Sequence, residues 1–379
     1  MNVLIASDKF KGSLTAAQVV HHLGSGLAQR GVHYDGLPLA DGGDGSVAAA
    51  VAAGFRPVEV DVAAATGERH PAAIAFDGVT AVVEVANTCG LHTLPAGTPA
   101  PLAASSAGLG DAVRAALQLE AKRIVLALGG SASTDGGTGM LAVLGAVFRD
   151  GAGQAVTPEG GSLGRIHTVD LAGVPDLSAT EIVIASDVQN PLTGPDGAAA
   201  VYGPQKGADP AQVVDLDAGL THLVDRLVAC GHPTARELAV TAGAGAAGGL
   251  GFAGLLLGGH AVSGADFFLD LLQFEAHLDG CDLVITGEGR IDEQTLHGKL
   301  PAVVALRARP IPVVAVVGRS DLTDTARHAM GLAAVHAIAD HTDHNPADDS
   351  ALSARLLEGI GRTMPLPDRL LPACPTETP

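Results

Sequence analysis

Five short apolar runs govern what this chain can fold into. They cover residues 3–6, 124–128, 182–185, 283–285 and 313–317, and each ends in a Gly- or Asp-rich turn. Nearly unbroken apolar runs of this length suit parallel strands covered on both faces. Between them, residues 16–28, 110–119, 211–229 and 300–308 carry helical spacing, with Ser13 or Thr15 placed to cap the first helix. Strand, turn and helix in alternation give an α/β fold with parallel sheet. Residues 56–86 depart from that rule. Short extended runs at 58–62, 72–76 and 81–85 are separated by ATGERH and DGVT, and Asp77-Gly78 is a hairpin signal. This region reads as an antiparallel insertion that opens a second domain. The tail, 365–379, is Pro-rich and reads as loose surface chain.

At 379 residues the chain is long enough for two or three domains. Its 22 Lys and Arg against 41 Asp and Glu give a net charge of −19, which argues against a nucleic-acid or anionic-membrane binder, since both need a basic footprint. With no Trp, 2 Tyr and 8 Phe, the core must be aliphatic. Cys89, Cys230, Cys281 and Cys374 lie far apart without metal-site or disulfide spacing, as expected in a reducing cytoplasm. The N-terminal apolar run stops after four residues at Ala6, too short for a signal peptide. A cytoplasmic protein with no membrane span is expected.

The charge total hides a sharper fact. Only five lysines occur, Lys9, Lys11, Lys122, Lys206 and Lys299, and four of them lie in or beside Gly-rich loops. Lysine is a compact, rotatable phosphate binder, whereas Arg is a planar fork. The loop around Asp8, Lys11 and Ser13 suits an anion near a helix start, although a capped helix with exposed lysines explains it as well. Asp41-Gly42-Gly43-Asp44 can offer carboxylates to Mg²⁺ or to a substrate hydroxyl. Loop 129–139 holds Gly129, Gly130, Ser131, Ser133, Thr134, Asp135 and Gly136, a dense set of N–H and O–H donors for phosphate or carboxylate oxygens. Asp187 and Asn190 follow the 182–185 run, where an acid could act as base beside a hydroxyl-orienting amide. Glu288, Arg290 and Asp292 lead to Lys299, combining acids for Mg²⁺ with bases for phosphate. The His341–Asp343–His344 run reads as a solvated loop.

Donors for anionic oxygens recur beside carboxylates, and no Cys or His is central. That favours phosphoryl transfer, where positioning and charge neutralisation do most of the catalysis. Two alternatives stand beside it. One is an NAD-dependent oxidoreductase using the GxGxxG of Gly243, Gly245 and Gly248, with Asp266 as its ribose acid. The other is a non-catalytic sensor of a phosphorylated metabolite.

ASDKFKGSL, PLADGGDGS, LGGSASTDGGTGM, ASDVQNPLTG, YGPQKGA, AGAGAAGGLG and VITGEGRIDEQTLHGK, in this order from Met1 to Gly318, closely resemble the bacterial glycerate kinase family of the glycerate 2-kinase type. The resemblance implies ATP-dependent phosphorylation of D-glycerate to 2-phosphoglycerate. It also implies two α/β domains with the active site between them. The expected division is a discontinuous Rossmann-like domain from 1–55 and 275–379 and an inserted α/β domain over 56–274 carrying the hairpin region. Lys9 stands where the family commonly has Ser, and Ser105-Ser106-Ala107-Gly108 replaces a stretch that often holds an aromatic. By their chemistry, Asp187 is assigned as general base with Asn190 beside it, and Lys11, Ser13, Lys206 and Arg290 as neutralising groups. Asp8, Asp41, Gly42, Gly43, Lys299 and loop 129–139 are assigned to substrate and phosphate. Asp44, Glu288 and Asp292 are assigned to Mg²⁺, with Asp41 and Asp135 competing for it. The expected partners are D-glycerate and ATP, and a second copy in a homodimer is allowed.

Overall fold

The protein is described here by a computed structural model covering residues 1–366. In chain order, the strands of its two main sheets are β1 (Asn2–Ser7), β2 (His33–Pro38), β3 (Arg56–Ala63), β4 (Arg69–Phe76), β5 (Thr80–Glu84), β6 (Arg123–Ala127), β7 (Glu181–Ala185), β8 (His260–Val262), β9 (Leu283–Gly287), β10 (Val313–Val317) and β11 (Leu332–Ala337). The helices used below are α1 (Ala16–Ala28), α2 (Ser46–Ala52), α3 (Ala107–Gln118), α4 (Pro210–Ala229), α5 (Gly264–Leu271), α6 (Leu300–Arg307) and α7 (Ser350–Thr363). All five apolar runs become strands.

The chain before Gly42 and the described residues from Ala265 to residue 366 form one compact unit, and Gly42–Gly264 forms another. The sequence reading puts these boundaries at 55/56 and 274/275. The difference has a local cause at each point. Helix α2 packs on β4 and β5, which draws the chain after Asp41 into the central unit. Helix α5 is tied to α6 by Arg307, whose guanidinium reaches Asp266 at 3.6 Å and Asp270 at 2.6 Å.

In the end unit the sheet order is β11-β10-β9-β1-β2, with every pair parallel. The chain moves from β1 to β2 on one side and then builds β9, β10 and β11 on the other. The direction of winding therefore reverses between β1 and β9, the place where open α/β sheets bind ligands beyond their strand ends. Val3, Ile5, Leu283, Ile285, Val314 and Val316 form the sheet's contribution to the core, covered by Val19, Leu23 and Leu27 of α1 and Leu357 and Ile360 of α7. Those α1 positions recur every three or four residues, and the helix starts at Thr15, whose side chain accepts from Gln18 N in a capping box.

In the central unit the order is β8-β7-β6-β5-β4-β3. β5 to β8 are parallel neighbours, while β3, β4 and β5 pair antiparallel, as the hairpin signal predicts. Asp77 makes that turn by accepting the amides of Val79 and Thr80 at 2.8 and 2.6 Å, with Gly78 at φ +100°. Ile124, Leu126, Ile182 and Ile184 of the strands share one core with Leu109 and Val113 of α3 and Leu216, Leu220 and Leu223 of α4. Cys89, Cys230 and Cys281 are free thiols, and Cys374 with most of the Pro-rich tail lies outside the described residues. Among the described residues no helix is long and apolar enough to cross a membrane.

Candidate active site

The residues singled out in the sequence collect at the carboxyl ends of parallel strands in both units, and the two collections differ in chemistry. In the end unit, Asp8 leaves β1 and Glu288 leaves β9, while Asp41 follows β2. Asp8 is buried, and its Oδ1 accepts the Lys9 amide at 2.7 Å, with Lys9 Nζ at 3.8 Å. Burial, followed by the charge of Asp41, pushes the Asp8 carboxyl up to about 8, against the pull of Lys9. Glu288 is pushed up to about 7, chiefly by burial, although the Thr295 hydroxyl donates to it at 3.0 Å and Lys299 opposes the rise. Asp292 stands 3.9 Å from Lys299 Nζ. Arg290 is mostly exposed and pairs with Asp321 at 2.7 Å, and more loosely with Asp292 at 4.0 Å.

Of the two readings of the segment between β1 and α1, the structure matches the capped helix with an exposed lysine. Phe10 and Leu14 bridge each other, Ser13 Oγ donates to Phe10 O at 3.3 Å, and Lys11 is exposed. Thr15 caps the helix after the turn, so one orphan amide is already satisfied from within. Among the described residues no three His, Cys, Asp or Glu side chains group so as to hold a metal ion. Asp44 is exposed in the central unit just before α2, whereas Glu288 and Asp292 belong to the end unit. His341, Asp343 and His344 are exposed, as expected of a solvated run.

In the central unit, loop 129–139 follows β6 and loop 186–194 follows β7. These strands are adjacent and in register, Ala127 opposite Ala185, so the two loops emerge side by side. Asp187 Oδ1 accepts the amide of Gly264, the first residue of α5, at 2.9 Å. Asn190 is committed at both ends of its side chain: Oδ1 accepts from Tyr202 at 2.7 Å and Nδ2 donates to Asp196 O at 2.8 Å. It frames its own loop. Gly42 O accepts the Gly129 amide at 3.2 Å, and a Cβ on Gly129 would lie 2.5 Å from Gly43 Cα, so only glycine allows this approach.

The sequence suggests that loop 129–139 presents its donors outward. Instead it turns two of its amides onto a carboxylate of its own, with Ser106 completing the set. Asp135 is fully buried and accepts Ser106 N at 2.9 Å, Ser106 Oγ at 2.8 Å, Gly137 N at 3.1 Å and Gly139 N at 3.1 Å. Burial raises its pKa, against the pull of these bonds. Asp135 is thereby removed from the Mg²⁺ candidates. Residues 131–140 are all buried, and the Ser133 and Thr134 hydroxyls have no hydrogen-bond partner in this enclosed setting. The lip of the loop, Gly129 and Gly130, reaches solvent. Lys206 is also buried, with Nζ donating to Ser131 Oγ at 2.8 Å and to Ser133 O at 2.5 Å.

Three contributors escape sequence reasoning. Ser106 supplies two of the four bonds to Asp135, and the only cue for it is that a buried acid must find donors. Glu84 ends β5 as a buried acid and accepts the Val47 amide of α2 at 2.9 Å. An acid closing the run TAVVE is the available signal. Thr295 holds Glu288 from a short 3₁₀ turn that carries no periodic pattern.

The oxidoreductase alternative fails on its context. The segment 243–249 follows the helix Ala235–Val240 where a dinucleotide fingerprint needs a strand. Its glycines serve close packing: Gly245 N donates to Asn190 O at 2.9 Å and Gly136 N donates to Gly248 O at 3.0 Å. Asp266 faces Arg307 on α6, within the end unit.

A sequence model of the glycerate kinase family matches residues 3–362. The chain is 40% identical to the glycerate kinase of Bacillus subtilis (strain 168) over 89% of this chain and 90% of that protein. It is 39% identical to the glycerate 2-kinase of Escherichia coli (strain K12), again over 89% and 90% of the two chains. Its fold is similar to the crystal structure named for a glycerate kinase 2 of Salmonella typhimurium LT2, with TM-score 0.74, 37% identity, and 95% and 97% of the two chains covered.

Proposed function

Because the chain belongs to the glycerate kinase family, we propose that it transfers the γ-phosphoryl group of ATP to the 2-hydroxyl of D-glycerate. The observation that carries this reading is the side-by-side exit of loops 129–139 and 186–194 from adjacent strands. A carboxylate on one loop and a glycine lip on the neighbouring loop are the pairing needed to take a hydroxyl proton close to phosphate oxygens.

In this reading Asp187 accepts the proton of the attacking hydroxyl. The Gly264 amide on one carboxylate oxygen keeps it oriented. Asn190 and Tyr202 hold the loop that carries it. Gly42, Gly43, Gly129 and Gly130 bring backbone close to the oxygens, because no side chain stands between. In the end unit, Lys11, Lys299 and Arg290 supply positive charge for anionic substrates. Within the end unit, Glu288 and Asp292 are oxygen donors of the kind that suits Mg²⁺, which typically takes one or two carboxylates and completes its shell with phosphate and water. When bound, the ion would neutralise phosphate charge. The raised pKa values of Asp8 and Glu288 support a site that uses these acids near neutral pH, since an acid with no chemical role is seldom left so poorly compensated.

³¹P NMR of the product formed from D-glycerate and MgATP tests activity and regiochemistry together. The expected result is ADP with 2-phosphoglycerate. A 3-phosphoglycerate signal overturns the position, and no ADP release with D-glycerate overturns the reaction.

A further inference from the structure

By its chemistry Lys206 is expected to neutralise anionic oxygens directly, yet its ammonium is turned inward. Lys206 ends the short turn Pro204–Lys206, and the residue is 3% exposed. Both of its acceptors, Ser131 Oγ and Ser133 O, belong to loop 129–139. A third segment closes over the pair. Gly248 has φ +71°, and a Cβ there would overlap Ser133 O and lie 2.9 Å from Lys206 Nζ. Gly248 O receives the Gly136 amide at 3.0 Å. On its other side the same segment receives the Asp187-bearing loop, since Gly245 N donates to Asn190 O at 2.9 Å and a Cβ on Gly245 would overlap Pro191 O. Three backbones are thus stacked from the glycine lip to the loop of the proposed base, and glycines let them touch.

We propose that Lys206 is a positioning residue: its buried ammonium fastens loop 129–139 to the turn Pro204–Lys206 beneath Gly248, at the place where segment 243–249 joins that loop to the Asp187 loop, without touching substrate. Its effect on turnover rests on the kinase reading, whereas the fastening itself does not. A buried ammonium is costly, and burial draws this one down to about 8, with the Asp135 charge opposing the fall. A group so placed must be well bonded, and both of its hydrogen bonds run to the loop it secures. A compact ammonium fits beneath Gly248, where a planar guanidinium fork would not.

Hydrogen exchange on the full-length, ligand-free protein decides the matter, comparing wild type, Lys206→Met, Ser131→Ala and the double variant. In Lys206→Met, amides of 129–139 should exchange on the order of tenfold faster while β9 and β10 keep their protection, because a charged buried bond is lost locally. Ser131→Ala should loosen the same amides to a smaller degree. The double variant should be no looser than Lys206→Met alone, since both changes cut one connection. Wild-type exchange in the folded variant overturns the proposal, as does a change that appears only after ATP is added; either makes Lys206 a ligand contact. If Lys206→Met shows no cooperative melt, Ser131→Ala, which keeps the charge, decides between the two roles on the same amides. With D-glycerate and MgATP, Lys206→Met should lower kcat more than it raises KM for either substrate. If wild type turns nothing over, the exchange pattern still stands or falls alone, and only the kinase reading is lost.

Discussion

The two collections of charge sit at equivalent places, beyond the carboxyl ends of parallel strands, and are bonded to different degrees. In the central unit Asp135 accepts four hydrogen bonds and Lys206 donates two. Their charges build the loop. In the end unit Asp8 is buried and Glu288 half-buried beside other acids, and their pKa values rise to about 8 and about 7. The same fold device therefore gives heavily hydrogen-bonded charges in one unit and sparsely bonded acids in the other, while burial shifts the titration of both sets. What separates them is the number of donors that each loop turns on its acid.

The largest effect expected is on chemistry. Asp187→Asn keeps an oxygen for the Gly264 amide but removes the base, and kcat should fall by ~10²–10⁴-fold with little change in substrate binding. Near-normal turnover would move the base to the end unit and recast the comparison. Next comes stability. Asp135→Ala strands the donors of Ser106, Gly137 and Gly139 in a buried site and should cost roughly 3–5 kcal/mol in urea unfolding. A loss below about 1 kcal/mol would mean that the loop does not depend on its internal carboxylate.

Asp8 should behave in the opposite sense. Its carboxyl is raised from 3.8 to about 8, so the folded protein binds this proton more tightly than the unfolded chain. The stabilisation is fully present below the unfolded value, falls as pH rises from about 4 to about 8, and is gone above that. Unfolding free energy should drop across that window with a slope of up to about 1.4 kcal/mol per pH unit for one proton, and Asp8→Asn should flatten the slope. An unchanged slope in the variant would show that Asp8 is not the group responsible. The smallest change belongs to Arg290→Ala. Its pairs with Asp321 and Asp292 are exposed, so the unfolding free energy should shift by no more than about 1 kcal/mol. A larger loss would reveal a network tighter than the geometry indicates.

How far the sequence can be read follows from where each signal resides. β1, β6, β7, β9 and β10 are legible because strands buried on both faces are written as unbroken apolar runs. β2, with Asp35, Gly36 and Pro38 in HYDGLP, lies at a sheet edge and has no such run. Helix α7 escapes notice because only a few of its residues, Leu357 and Ile360 among them, enter the core from an otherwise polar segment. At the site, the sequence marks the loops but not the direction of their donors. Whether Ser133 or Lys206 faces a ligand or a neighbouring backbone depends on contacts with residues 73 or 75 positions away. At Lys11–Ser13 the sequence leaves an anion site and a capped helix open, with Ser13 and Thr15 both plausible caps, and the structure uses Thr15 and leaves Lys11 exposed.

The carboxylate inside loop 129–139 has a consequence for the thermodynamics of association. A loop already folded around Asp135 has given up its conformational freedom during folding, before any substrate arrives. Anions meeting its Gly129–Gly130 lip would not have to order it, so this half of the recognition should carry little of the unfavourable entropy that accompanies loop closure. A lip of this kind would favour small, rigid anions over ligands that need the backbone to adapt.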